Sequence, residues 1–124
     1  MKGKVIFADL SYAIYGFCFK VHNTLGRFRN EKQYADALEE ILKRNKIPYE
    51  REKYLPQSFG GEKSNRNIVD FIIDDKVILE LKAKRIITRE DYIQMKRYLV
   101  SYNKKLGILV NFGQLNLSPK RILN

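Results

Sequence analysis

Asp70, Glu80 and Lys82 lie inside two short apolar runs, IVDFII at 68–73 and VILELK at 77–82, at positions where a buried strand would carry Val, Ile or Phe. Side chains alternate faces along a strand, so Ile68, Asp70 and Ile72 share one side of the first run, and Ile78, Glu80 and Lys82 share one side of the second. The turn between the runs decides whether those sides coincide. A three-residue loop at Asp74-Asp75-Lys76 pairs residue 73 with 77 and sets Asp70 opposite Glu80; a two-residue loop without a bulge sends the carboxylates to opposite faces.

In the first arrangement two carboxylates converge in an apolar setting, which is costly unless they are paired or bound to a metal. Lys82 supplies one positive charge and leaves a local sum of minus one. A divalent ion supplies more: Mg2+, or Mn2+ in its place, takes carboxylate, carbonyl and water oxygens and is often held by one or two protein carboxylates together with substrate phosphate. Such an ion lowers the pKa of a bound water and screens charge developing on phosphate, and Lys82 would orient that water or stabilise the transition state. The competing account of an acid-x-Lys pattern on a strand is a solvent-facing ion pair.

The charge of the chain bears on its partners. The formal net charge is +10 over 124 residues, and between Lys82 and Lys105 eight basic residues stand against two acids, Glu90 and Asp91. A segment of that kind, directly after the acid pair, suits a phosphate backbone, although basic residues on a solvated helix face also serve solubility. The lone Cys18 and lone His22 are too few for a structural zinc site, and a single cysteine fits a reducing, cytoplasmic setting. The N-terminal MKGKVIFADLSYAIYGFCF imitates a signal peptide, but Asp9 breaks its apolar stretch, and no run approaches the roughly 20 apolar residues of a membrane helix. It is expected to be part of the fold, with no membrane partner.

Periodicity supplies the elements that must position the site. Asp9 is the expected cap of a helix with Leu10, Ile14, Phe17, Val21 and Leu25 on one face, ending near Gly26. A second helix starts at Asn30, with Tyr34, Ala37, Leu38, Ile41, Leu42 and Asn45 on one face, and stops before Pro48. Residues 49–56 alternate as an edge strand, QSFGGEKSNR is a loop, and 67–73 and 77–84 form the hairpin. Thr88 caps a helix to Asn103 with Tyr92, Met95, Leu99 and Tyr102 on its apolar stripe; LGILVNF and KRIL are strands. The order helix, helix, three strands, helix, strand, strand predicts a single α/β domain over 1–124, a mixed β-sheet flanked by helices.

The set LGRFRNEKQYADAL at 25–38, IVDFII, ILELKA at 78–83, YIQMKRYL at 92–99 and LGILVNFG at 106–113 resembles the GxxExxY family of small PD-(D/E)XK nuclease-superfamily proteins, over about residues 20–123. The resemblance implies a restriction-endonuclease-like sheet. It also implies a metal held by Asp70, Glu80 and the Leu81 main-chain carbonyl, with Glu31 as accessory ligand or charge partner, Lys82 serving the nucleophile and Gln94 steadying the site or a phosphate. Lys84, Arg85, Lys96, Arg97 and Tyr98 are the candidate substrate contacts, with a core role equally open for Tyr98, while Tyr34 is expected to pack. The chain departs from the naming motif at Phe28, where Gly is called for, and has Gly26 two residues earlier.

The expected function is therefore metal-dependent phosphodiester hydrolysis on DNA or RNA, with a homodimer allowed. The rivals are a non-catalytic nucleic-acid-binding module using the 82–105 surface and a protein-interaction adaptor. His22 is expected to be a polar or capping group and Cys18 core. Arg51, Glu52 and Lys53 are expected to protect a sheet edge, and Asn111, Phe112 and Gly113 to be structural.

Overall fold

In the computed structural model, which describes residues 6–64 and 66–124, α1 spans Ala8–Leu25 and α2 spans Glu31–Arg44. The cap of α1 is Phe7, in a left-handed conformation, and not Asp9, which instead sits in the first turn, where its charge meets the positive end of the helix. Gly26 ends the helix at φ 77°, a conformation that costs glycine little, and its N–H donates to the His22 carbonyl. Asn30 caps α2 through a reciprocal pair with Gln33: each side chain accepts the other's backbone N–H at 2.9 Å. Because Asn45 and the left-handed Lys46 close the helix, Pro48 is left to start the next segment.

The remaining elements are β1 (Tyr49–Tyr54), β2 (Ile68–Ile73), β3 (Val77–Lys82), α3 (Arg89–Tyr102), β4 (Leu106–Asn111) and β5 (Lys120–Leu123). The strands lie side by side in chain order, antiparallel except for β3 and β4, which run parallel with α3 as the crossover. The expected α/β architecture, with a mixed sheet and helices on it, is the one found. β1 and β3 each stop two residues short of their expected ends.

Both faces of the sheet are covered, which is why β3 and β4 are apolar almost throughout. On one face Ile14, Cys18, Tyr34 and Leu38 pack against Leu79, Leu81, Ile108 and Val110. On the other, Met95, Tyr98 and Leu99 of α3 pack against Ile72, Ile78, Leu109 and Ile122. Each such side chain contributes about 1.5–3 kcal/mol by leaving water. On α3 the helical stripe is rotated from expectation: Tyr92 turns outward while Asp91 and Tyr98 turn inward.

One irregularity shapes the site. Arg51 lies over Phe71 on the α2 side, whereas Val69, two residues before Phe71, belongs with Leu55 and Tyr98 on the α3 side. The β1–β2 ribbon therefore turns over between these pairs. The residue that allows it is Glu52, at φ 52°, and the register passes from Arg51↔Phe71 to Lys53↔Val69 without pairing Glu52 to Asp70. On the other side of β2 the ladder to β3 ends at Phe71↔Leu79. Asp70 is thus outside the backbone register with both neighbours. The same turnover puts Ile68 at the surface while Ile72 is buried, so these two do not share Asp70's surroundings.

Candidate active site

The hairpin turn brings the acids together. Asp74 and Asp75 adopt left-handed conformations, which short polar side chains tolerate, and the Lys76 N–H donates to the Ile73 carbonyl at 3.0 Å. Ile73 pairs with Val77, so the loop has the three-residue length and Asp70 faces Glu80. In place of the lapsed ladder, the Asp70 N–H donates to Glu80 Oε1 at 2.9 Å and the Leu81 N–H donates to Asp70 Oδ2 at 2.7 Å. Each carboxyl thereby holds the other's strand.

Glu80 is only 5% exposed. Burial and then the neighbouring Asp70 charge push its carboxyl up from 4.5 to about 8. Asp70 is also raised, first by burial, with the Leu81 N–H and Lys82 opposing and the Glu31 charge adding. Glu31, at the first turn of α2, is a like charge felt by both. It lines a small cavity of about 100 Å3 together with Asp70, Lys32, Ala35, Arg51 and Glu52. Among the described residues, no three His, Cys, Asp or Glu side chains gather as a metal-holding group.

The ammonium of Lys82 meets α3. It donates to Gln94 Oε1 at 3.1 Å and lies 3.9 Å from Asp91 Oδ1. One turn on from Gln94, the Tyr98 hydroxyl is pushed up to about 12 by burial and by the charges of Glu80 and Asp70. Tyr98 is thus a core residue that borders the site, and its exposure to a substrate is slight.

Asp91 is the residue that sequence reasoning passed over. An acid in the first turn of α3, it is buried and accepts from Lys84 Nζ at 2.7 Å, the Thr88 N–H at 2.8 Å and the Thr88 hydroxyl at 3.2 Å. Burial alone would raise its carboxyl, but Lys84 and Thr88 hold it below the usual carboxylate range. The available signal was Thr88-x-x-Asp91, a capping-box spacing.

The segment between β3 and α3 is tied down at Lys84. Asn111 Oδ1 accepts the Lys84 N–H at 3.0 Å and Asn111 Nδ2 donates to the Lys84 carbonyl at 2.9 Å. A Cβ on Gly113 would fall 2.3 Å from that carbonyl oxygen, so the strand end admits only glycine there. Of the expected substrate contacts, Lys84 and Lys96 are engaged internally, the latter with the Leu123 carbonyl. Arg85 and Arg97 are exposed, with no acid partner among the described residues.

Tyr34 packs as expected: it stacks on Phe112 at 4.4 Å, donates to the Gly26 carbonyl at 2.6 Å and accepts the Arg29 N–H at 3.1 Å. His22 is a buried strut whose Nε2 meets the Gln114 carbonyl at 2.9 Å. The thiol of Cys18, enclosed by the core, is pushed up to about 12 by burial. No helix among the described residues is long and apolar enough to cross a membrane.

Comparison with curated proteins and with solved structures gives no significant match. A family profile described as the PD-(D/E)XK nuclease superfamily matches residues 8–122, from the start of α1 into β5. With the acid pair and lysine carried on the hairpin of such a sheet, the chain belongs to the PD-(D/E)XK nuclease superfamily.

Proposed function

We propose that the protein hydrolyses phosphodiester bonds of DNA or RNA, with a divalent metal held by Asp70 and Glu80 and with Lys82 serving the attacking water. The observation that carries this reading is the pairing of the buried Glu80 carboxyl with the half-buried Asp70 carboxyl at the one place where β2 leaves register with both neighbours, each with raised proton affinity. Two facing carboxyls withdrawn from water, both with raised proton affinity, are a pair short of a cation.

The donor set fits Mg2+ or Mn2+. It offers oxygens alone, and one oxygen of each carboxyl, Glu80 Oε2 and Asp70 Oδ1, accepts from no amide or amine donor among the described residues. The N–H and carbonyl of one extended residue point to the same side of a strand. Leu81, whose N–H meets Asp70, therefore aims its carbonyl at the same opening. Glu31 stands behind as an accessory acid. When bound, such an ion makes a water nucleophilic at neutral pH and offsets charge on the phosphoryl oxygens.

The residues of the chain do the positioning. Gln94 and Asp91 hold Lys82 at the edge of the acid pair, where its ammonium can donate to the incoming oxygen or to the phosphate. Within the superfamily we infer the GxxExxY family, because Glu31 and Tyr34 of the naming motif work together: Tyr34 fixes the turn that delivers Glu31 to the site. Phe28, at the motif's glycine position, is exposed and takes no part in that turn's bonding.

The test is incubation of the purified protein with single-stranded and duplex DNA and RNA, with Mg2+ or Mn2+. Cleavage that falls at least a hundredfold in Asp70→Ala and in Lys82→Ala is expected. Cleavage surviving in both variants would remove the assignment. Salt-sensitive binding that ignores chelator and yields no product on any substrate would favour the non-catalytic binding module.

A further inference from the structure

The described residues of the connection between β1 and β2 are cross-bonded. Its neck is closed by the Leu55 N–H donating to the Asn67 carbonyl at 2.8 Å, and Leu55 belongs to the same buried cluster as Tyr98, beside the acid pair. Above the neck, the Glu62 carboxylate accepts the Ser58 N–H at 2.7 Å and the Ser58 hydroxyl at 3.0 Å, and the Gln57 amide donates to the Glu62 carbonyl. The Glu62 N–H donates to the Phe59 carbonyl at 3.3 Å, closing a turn whose third residue, Gly61, has φ 96°.

What this ordered turn displays is apolar. Phe59 is 63% exposed, and the last register pair of the two strands, Tyr54 and Ile68, is 54% and 40% exposed. Three large apolar side chains held in water, Phe59 on the connection and Tyr54 and Ile68 at the strand ends it joins, mark a contact surface more than a packing failure. The nearby cations are free to complement it. Lys63 and Arg66 are exposed, form no ion pair among the described residues, and line with Gln57, Glu62 and Ser64 a cavity of about 270 Å3, in which the Glu62 carboxylate is taken up by Ser58. Two residues beyond Ile68 stands Asp70.

We propose that this connection is a platform for the unpaired bases of a nucleic-acid strand. Phe59, with Tyr54 and Ile68, offers apolar faces for stacking, and Lys63 and Arg66 take the flanking phosphates, so that the strand is led toward Asp70. Stacking needs an open base face, which a single strand or frayed end presents and an intact duplex hides; cations beside aromatics are the chemistry that grips such a strand without reading its sequence. The inference rests on the nucleic-acid reading above and narrows its substrate to strands with unpaired bases.

The test is binding, in chelator and at low salt, of a fluorescein-labelled single strand of about twenty nucleotides and of the blunt duplex of the same sequence. The single strand should bind at least tenfold more tightly. Phe59→Ala should weaken it at least fivefold while leaving the duplex unchanged and the melting temperature intact, since Phe59 is exposed. Lys63→Gln with Arg66→Gln should lower the salt slope for the strand by about 1.4, or 0.7 per phosphate lost. Equal binding of strand and duplex, or a Phe59→Ala protein that binds the strand like the wild type, would overturn the proposal. So would polyglutamate binding as tight as that of the strand. Strand binding that depends on Phe59 without hydrolysis would uphold the platform and remove only the catalytic reading. Hydrolysis with a dispensable Phe59 would do the reverse.

Discussion

At the scale of single residues, the proposed metal site would make stability and ion binding two readings of one titration. The Glu80 carboxyl rises from 4.5 to about 8 on folding, so its contribution is fully present below pH 4.5 and is lost as pH climbs through about 8. In chelator the melting temperature should therefore fall across that window. Mg2+ or Mn2+ should raise it far more near pH 8 than near pH 4.5, because the ligands must shed their proton to bind. Glu80→Gln keeps an oxygen for the Asp70 N–H and has no proton to lose. It should flatten the slope, add on the order of 2 kcal/mol near pH 8 in chelator and abolish the response to the ion. A Glu80→Gln protein with the wild-type pH slope would contradict this account. Asp91 acts in the opposite direction at acid pH: its carboxyl is depressed, so its contribution holds above 3.8 and fades below. Asp70, Glu80 and Lys82 were legible in the sequence because charged types interrupt apolar runs. Asp91 was not, because an acid in the first turn of a helix is ordinarily a surface group, and only the bonds from Lys84 and Thr88 reveal its burial.

At the scale of elements, the site depends on how strand ends are tied. The end of β4 clasps the segment after β3 through Asn111 and the close approach at Gly113, and this fixes Lys84 against Asp91 and so the start of α3 against Lys82. Gly113→Ala forces a Cβ onto the Lys84 carbonyl. It should cost about 1–3 kcal/mol, read as a lower denaturation midpoint with unchanged m, and should lower activity more than stability alone accounts for. The order of helices and strands was legible because capping residues, Pro48 and apolar periodicity all agreed on it. The length of the hairpin turn was not, since either loop suits Asp74-Asp75-Lys76; the pairing of Ile73 with Val77 is what fixes it at three. The turnover at Glu52 was hidden altogether. Nothing in EREKY marks a glutamate for positive φ, and alternating charge there resembles the ordinary protection of an edge.

At the scale of the molecule, a net charge of +10 draws the protein to polyanions, but only some of its cations are free to meet them. Arg97 is exposed, whereas Lys96, its neighbour in sequence, is spent on the Leu123 carbonyl. Arg97→Gln should therefore reduce the salt slope of duplex binding by about one, while Lys96→Gln should leave the slope and lower the melting temperature. A slope change in Lys96→Gln equal to that in Arg97→Gln would show that the internal bond does not restrain it.

The three-residue link between β2 and β3 also sets an order of assembly. A hairpin closes within microseconds, whereas the parallel pairing of β3 with β4 must wait for the whole crossover helix to be made and docked. The carboxyl pair thus meets while the chain is still searching for its topology. The brace on the lysine arrives late, so under the proposed function a half-folded chain would present the acid pair to an ion well before Lys82 is held in place.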